Sequence, residues 1–169
     1  MKKSKYVAFG AMMAALSVVF LLLGTLTGVM DLTAVVLASI LLFMARQEIG
    51  YKSLAIYFVT IAISVPLMLV SAIEYAIIGI YPVFKPSIDR LNPLAKWVLK
   101  ILYILSASAG IFCVSRFMVA DAPLYMDIIL AVGCLLIFFI YDILLHRFGL
   151  YYGFKLRHKL RIDKFFNQY

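Results

Sequence analysis

The chain has 169 residues, of which 66% are hydrophobic and only 14% are charged, and its mean hydropathy is +1.06. A soluble domain of this length could not bury so much apolar surface, and about a quarter of its residues would normally be charged. Composition therefore excludes a soluble globular protein. The apolar stretches are continuous and do not alternate with polar residues, so we expect an all-α membrane protein and not a β-barrel.

The formal net charge of +8 is carried by the connections between apolar segments and by the C-terminal tail. Basic residues in those positions face anionic lipid headgroups and the cytoplasm, so we expect membrane lipid as a partner and no nucleic acid. Cys113 and Cys134 stand inside apolar runs without a CxxC or Cys/His pattern. We expect them to be reduced packing residues, and we expect no metal site.

Six apolar segments follow one another along the chain. They cover about 6–26, 31–45, 52–70, 71–84, 94–119 and 124–146. Crossing a bilayer takes about 20 helical residues, so the second and fourth segments are short. A single helix over 52–85 would measure about 50 Å, which is too long for one span. We therefore expect a tight hairpin at about 69–72.

The positions of lysine and arginine predict the topology. If both termini are cytoplasmic and the chain crosses six times, every one of the 16 basic residues except Arg116 faces the cytoplasm, as the positive-inside rule requires. We therefore predict one integral membrane domain, 1–169, with a basic cytoplasmic tail at 147–169. The first segment is too long for the apolar region of a signal peptide, so we expect a retained helix.

The stretch 85–100 is predicted to be a cytoplasmic connection, because Pro86 and Pro93 bracket a polar segment. Lys96, Trp97 and Lys100 are typical of residues anchored at the lipid headgroups. An interfacial loop is one interpretation, and a contact surface for a partner is the other. The tail from residue 151 alternates basic and aromatic residues, as a surface-lying amphipathic segment does.

The residues expected of an enzyme are not apparent. The two histidines, His146 and His158, stand at the basic end of the chain, and there is no Gly-rich phosphate loop, HExxH or GxSxG. We predict no catalytic residues and no cofactor, so a partner or an ion gradient must supply the energy for any uphill transport. Asp142 is expected to neutralise Arg147 or His146.

Polar and aromatic residues near the outer ends of the predicted spans indicate a small-molecule site. The candidate substrate-binding residues are Asp31, Glu74, Tyr75, Arg116, Tyr125 and Asp127. Carboxylates outnumber the single arginine, which favours a cationic or amine-bearing ligand. The alternative is that Arg116 pairs with Glu74 or Asp127 and only holds helices together.

The first segment carries small residues where a lipid-facing helix would carry large ones. Gly10 and Ala14 form one pair at a spacing of four, and Ala11 and Ala15 form a second. In lipid, small residues at this spacing allow two helices to approach closely. We predict a docking face for a partner, with packing inside the bundle as the alternative.

The Lys-rich start, GAMMAAL, the short second helix, the QEIGYK turn and six spans in under 170 residues resemble an S component. S components are the substrate-capturing subunits of energy-coupling factor (ECF) vitamin transporters, and they carry an AxxxA motif in the first helix, matched here by Ala11 and Ala15. The resemblance implies the S-component bundle in a bacterial plasma membrane, and capture of a vitamin or other small micronutrient from outside. It also implies docking on a T component attached to two ATPases, and toppling of the S component in the membrane.

Two other functions remain open. The chain could be a non-transporting scaffold or assembly protein that uses the same small-residue face and basic tail to bind membrane proteins. An ion-coupled carrier acting alone is less favoured, because no pair of broken helices in corresponding halves is evident.

Overall fold

The structure is a computed structural model that describes residues 2–27, 31–118 and 124–156. Side chains are described for these residues except at 2, 3, 31, 114–118, 124–131, 134 and 156.

The described residues form helices and turns, and no strand occurs among them. In chain order they are α1 (Lys2–Thr27), α2 (Asp31–Ile49), a 3-10 turn (Gly50–Lys52), α3 (Ser53–Ser64), α4 (Leu69–Ile88), α5 (Pro93–Met118), α6 (Leu124–Tyr151) and a π-helical turn (Tyr152–Leu156). The predicted all-α class is confirmed.

Five helical segments in the described ranges are long and apolar enough to cross a membrane. They are Ser4–Thr27, Leu32–Ser64, Leu69–Ile88, Pro93–Cys113 and Leu135–Lys155. The chain is therefore a multi-pass helical membrane protein, whereas six spans with cytoplasmic termini stays a prediction. The segment Leu32–Ser64 contains both α2 and α3.

Gly50 separates α2 from α3. Its φ is +65°, a left-handed conformation that residues with a Cβ adopt only at a cost. This residue interrupts a run that would measure about 50 Å as one helix. Because the chain turns there, α2 and α3 contact each other and both pack against α1.

The α3/α4 turn lies earlier than predicted. A hairpin at 69–72 is wrong, because α3 ends at Ser64 and the turn occupies 65–68. Pro66 has no N–H to donate, so the helical bond to its own nitrogen is lost, although Val65 before it keeps helical dihedral angles (φ −52°, ψ −50°). The backbone N–H groups of Leu67 and Met68 instead donate to the Ser64 carbonyl, at 3.1 and 2.8 Å.

The two helices flanking this turn are antiparallel. The Tyr57 hydroxyl donates to the Ala76 carbonyl at 2.7 Å, and both residues lie about ten positions from Pro66. The prediction that the fourth segment is short is wrong, since α4 has 20 residues and α3 has 12. The second segment was also predicted too short, because α2 continues to Ile49.

The predicted loop over 85–100 is wrong as well. Helix α4 continues through Pro82 and Pro86 to Ile88, and α5 begins at Pro93, so only 89–92 connects them. Proline is well tolerated at the first position of a helix, because the N–H it lacks has no partner there. The segment predicted at 94–119 corresponds to α5, which begins at Pro93 and is described to Met118, and the segment predicted at 124–146 corresponds to α6, which continues for five more residues to Tyr151.

The chain divides into two compact units. Unit 1 contains residues up to Val83 and from Leu144, and unit 2 contains 84–143. In unit 1 the start of α4 is tied to α1 by a 2.6 Å hydrogen bond between the hydroxyls of Thr25 and Ser71. The last turn of α4 that belongs to unit 1 is tied to α2, because Arg46 Nε donates to the Val83 carbonyl at 2.9 Å.

Replacing Gly50 with alanine tests the left-handed break. We expect Gly50→Ala to lower the free energy of unfolding by about 1–2 kcal/mol, the cost of a Cβ in that conformation. Gly133→Ala in α6 is the matched control, because a Cβ there meets no heavy atom within 4 Å and alanine in a helix is favoured by about 0.5–1 kcal/mol. Unfolding in mixed micelles would measure both, and equal effects would contradict the assignment.

Candidate functional site

The small residues of α1 fall on two different surfaces. Gly10 and Ala14 are buried, whereas Ala11 and Ala15 are exposed. A Cβ built on Gly10 would lie 3.5 Å from Cγ1 of Ile56 in α3, so this glycine lets α1 approach α3. The first pair therefore packs inside unit 1, and the second pair faces outward.

A cavity of about 500 Å³ lies between α1 and α3; we call it the α1/α3 groove. The residues lining it are Tyr6, Val7, Gly10, Ala11, Ala14, Ile49, Lys52, Ala55, Ile56 and Val59. Lys52 is the one charged residue in this lining, and its Nζ lies 5.8 Å from the ring centroid of Tyr6. The rest of the lining is apolar apart from the Tyr6 hydroxyl, so the groove fits hydrocarbon or a helix with small side chains.

Two of the predicted substrate-binding residues, Glu74 and Tyr75, lie on α4 in unit 1. Tyr75 is 0% exposed and does not line the groove. Its ring centroid is 5.8 Å from that of Tyr57 on α3. Glu74 is half-buried, and because consecutive helical residues differ by about 100° the two side chains leave α4 in different directions.

The other four predicted residues are placed only by their helices. Asp31 is the first residue of α2, Arg116 lies in the last turn of α5, and Tyr125 and Asp127 lie in the first turn of α6. Their side chains are outside the described residues. A pocket formed by all six residues stays a prediction.

Unit 1 contains a group of buried hydroxyls that were not predicted from the sequence. Those of Ser17, Ser39 and Thr60 donate to the carbonyls of Met13, Val35 and Ile56, four residues earlier in the same helix, at 2.8–2.9 Å. This local bond allows a serine or threonine to face a helix interface without an unpaired donor. The signal in the sequence is a serine or threonine inside an apolar helical segment, four residues after the residue whose carbonyl it bonds.

Tyr75 is an exception within this group. The hydroxyls of Thr60 and Ser17 lie near its phenol, yet its oxygen has no hydrogen-bond partner in good geometry. The two neighbouring hydroxyls already donate to their own helices, so they could offer Tyr75 only acceptor lone pairs. The buried hydroxyl of Tyr75 can therefore form one more hydrogen bond.

Unit 2 contains a cluster of five charged side chains, which we call the lysine cluster. Asp142 on α6 accepts hydrogen bonds from Lys85 on α4 and Lys100 on α5, one at each carboxylate oxygen. Asp89 lies 2.8 Å from Lys96 Nζ, 3.7 Å from Lys85 Nζ and 4.0 Å from Lys100 Nζ. The cluster joins three helices and the connection between two of them.

Asp142 has two partners that were not predicted. Arg147 and His146 were expected, but the carboxylate binds Lys85 and Lys100. The reason is the length of α4, which continues past Lys85 and buries this side chain to 2% exposure. A lysine so placed needs a carboxylate close by, because an unpaired buried charge is costly.

The chain was compared with protein-family models, with curated proteins and with solved structures, and nothing matched in any of the three. Among the described side chains, no three His, Cys, Asp or Glu residues lie close enough together to hold a metal ion. A function must therefore be inferred from the exposed alanines, the α1/α3 groove and the buried polar groups.

Two tyrosine variants test the hydrogen bonding of unit 1. Tyr57→Phe removes the bond to the Ala76 carbonyl, so we expect the free energy of unfolding to fall by about 1 kcal/mol. Tyr75→Phe removes a hydroxyl without a well-formed bond, so we expect a change of less than about 0.5 kcal/mol. Unfolding of the two variants in the same micelles compares them, and a larger loss for Tyr75→Phe would contradict this account.

Asp142→Asn tests the lysine cluster. Two ammonium groups lose their shared carboxylate, and we expect the free energy of unfolding to fall by about 2–3 kcal/mol, less than for a fully buried pair because Asp142 is 19% exposed.

The matched control is Lys85→Met in both backgrounds. It should destabilise the wild-type protein, and it should restore stability in the Asp142→Asn background by removing the unpaired buried charge. If Lys85→Met changed the free energy of unfolding by the same amount in both backgrounds, Lys85 and Asp142 would not be coupled.

Proposed function

We propose that this protein is the substrate-capturing subunit of an ECF-type importer, and that it docks on a transmembrane T component through Ala11, Ala15 and the adjoining α1/α3 groove. The observation that carries the proposal is the exposure of Ala11 and Ala15 beside an apolar groove. The other small pair of α1 is already used inside unit 1.

The physics of helix association in lipid supports this use of the exposed pair. Lipid tails are as apolar as the side chains they would replace, so two helices gain little from hydrophobicity and depend on close packing. Large apolar residues such as Met12 and Leu16 are exposed on α1 and suit lipid. Alanines at a spacing of four instead allow a second helix to come within about 8 Å.

The groove extends this contact surface. Ala11 belongs to both features, and the groove continues from it to Ala55 and Val59 on α3. A partner helix packed on Ala11 and Ala15 could place its own side chains in the groove, where buried Gly10 and Ile56 form the floor. The docking surface would then include two helices of this protein.

The remaining parts of the proposal follow from the polar groups and from the motifs. No nucleotide-binding pattern is present in the sequence, so in this scheme two ATPases attached to the T component supply the energy. The substrate, a vitamin or other small micronutrient, would bind at the polar residues predicted near the outer membrane face. Glu74 and Tyr75 are the members of that set whose side chains are described.

Tryptophan substitution tests the docking surface. We expect Ala11→Trp or Ala15→Trp to lower co-purification with the T component and ATPases of the same organism at least tenfold, because the indole prevents close approach of the partner helix. Substrate uptake should be lost with it. The melting temperature of the isolated subunit should stay near that of the wild type, because both positions are exposed.

Leu16→Trp is the matched control, since Leu16 is exposed on the same helix but about 100° away from Ala15. It should leave co-purification and uptake unchanged. Normal uptake by the two alanine variants would disprove the docking role. Co-purification with other membrane proteins, together with no stabilisation by any vitamin, would favour a scaffold.

A further inference from the structure

The lysine cluster has more positive than negative charge. Lys85, Lys96 and Lys100 contribute three ammonium groups, and Asp89 and Asp142 contribute two carboxylates. The set therefore carries a formal charge of +1. Buried or half-buried charge of one sign is costly without a counter-charge, so an anion is the complementary ligand.

Accessibility decreases from one side of the cluster to the other. The side chain of Lys96 is 33% exposed and that of Asp89 is 27% exposed. Lys100 is 12% exposed and Lys85 is 2% exposed. An incoming anion can therefore reach Lys96 and Asp89 most easily, while Lys85 is the innermost charge of the cluster.

Lys96 and Lys100 are one helical turn apart on α5, so their side chains share a face. Both ammonium groups lie within 4.0 Å of a carboxylate oxygen of Asp89. The space between them already accommodates one anionic oxygen group. A phosphate is anionic like the Asp89 carboxylate, and it has more oxygens that can accept hydrogen bonds.

The surface of α5 at this level is apolar and open. Leu94 and Trp97 are large exposed side chains within one turn of Lys96, and Trp97 is 60% exposed. Further along α5, Ile101, Leu102 and Leu105 are also exposed. Tryptophan beside lysine at the start of such a surface is the arrangement found where hydrocarbon meets the headgroups.

We propose that the lysine cluster binds the phosphodiester group of an anionic phospholipid. The phosphate contacts Lys96 and Lys100 and takes the place of Asp89 as the partner of Lys96, while the glycerol and acyl chains lie against Trp97 and the apolar face of α5. A lipid is favoured over free phosphate because the charged and apolar surfaces adjoin. This inference does not depend on the proposed function.

Trp97 is the only tryptophan in the chain, so its fluorescence reports on this site directly. The protein is reconstituted in phosphatidylcholine vesicles with a fixed fraction of brominated phosphatidylglycerol, whose bromine atoms quench a nearby indole. The same fraction of brominated phosphatidylcholine gives the reference. We expect stronger quenching by phosphatidylglycerol in the wild-type protein.

Two substitutions should act in opposite directions. Lys96→Gln removes one ammonium group and should lower the relative affinity for phosphatidylglycerol about fivefold. Asp89→Asn removes the competing carboxylate and should raise that affinity. Loss of a purely structural ion pair would instead change both variants in the same direction. Lys52→Gln, in unit 1 and outside the cluster, is the control and should behave as the wild type.

Three results would overturn the proposal. The first is equal quenching by the two brominated lipids in the wild-type protein, and the second is an unchanged preference in both Lys96→Gln and Asp89→Asn. The third is displacement of brominated phosphatidylglycerol by inorganic phosphate but not by sodium chloride of the same ionic strength, which would assign the site to free phosphate. Melting temperatures of the variants confirm that each remains folded.

Discussion

The close approach of α1 to α2 and α3 is the contact on which unit 1 depends. Helices in lipid are held by packing and by satisfied polar groups, since hydrophobicity favours neither the paired nor the separated state. Small buried residues permit that approach on both sides: Gly10 and Ala14 on α1, and Ala34 and Ala38 on α2. Ser17 and Ser39 can also lie at these contacts, because each hydroxyl donates to a carbonyl of its own helix. Ala11 and Ala15 have equally small side chains, but they are exposed.

The two units use different means of cohesion. Unit 1 relies on small side chains and on single hydrogen bonds between helices, such as that between Tyr57 and the Ala76 carbonyl. Unit 2 joins α4, α5 and α6 through Asp142 and the two lysines bound to it. A shared carboxylate fixes the identity of its partners more strictly than apolar packing does, because in another arrangement both lysines would lose their closest carboxylate.

The sequence alone predicts the apolar segments well, because hydrophobic length is a property of composition. It cannot place the breaks. Pro66 lies in the turn after α3, yet Pro82 and Pro86 lie inside α4, so a proline in the sequence does not by itself mark where a helix ends. Periodicity likewise detects both small pairs of α1, but the face that meets α3 is decided by the fold. The lysine cluster was missed because 85–100 was predicted to be a loop and Asp142 was assigned to Arg147 or His146, whereas α4 and α5 bring Lys85 and Lys100 to this carboxylate.

The shortness of α3 affects the surrounding lipid. Twelve residues rise about 18 Å, against about 30 Å of hydrocarbon. The turn after it exposes Val65 and Leu67, which suit acyl chains, while its Leu67 and Met68 N–H groups are bonded to the Ser64 carbonyl. With α3 in the bilayer, the hydrocarbon layer beside it must become thinner, at a fraction of a kcal/mol per ångström of mismatch. Such hydrophobic mismatch would favour thin membranes for this protein. It would also confine any thinning of the surrounding bilayer to the side of the protein where α3 lies.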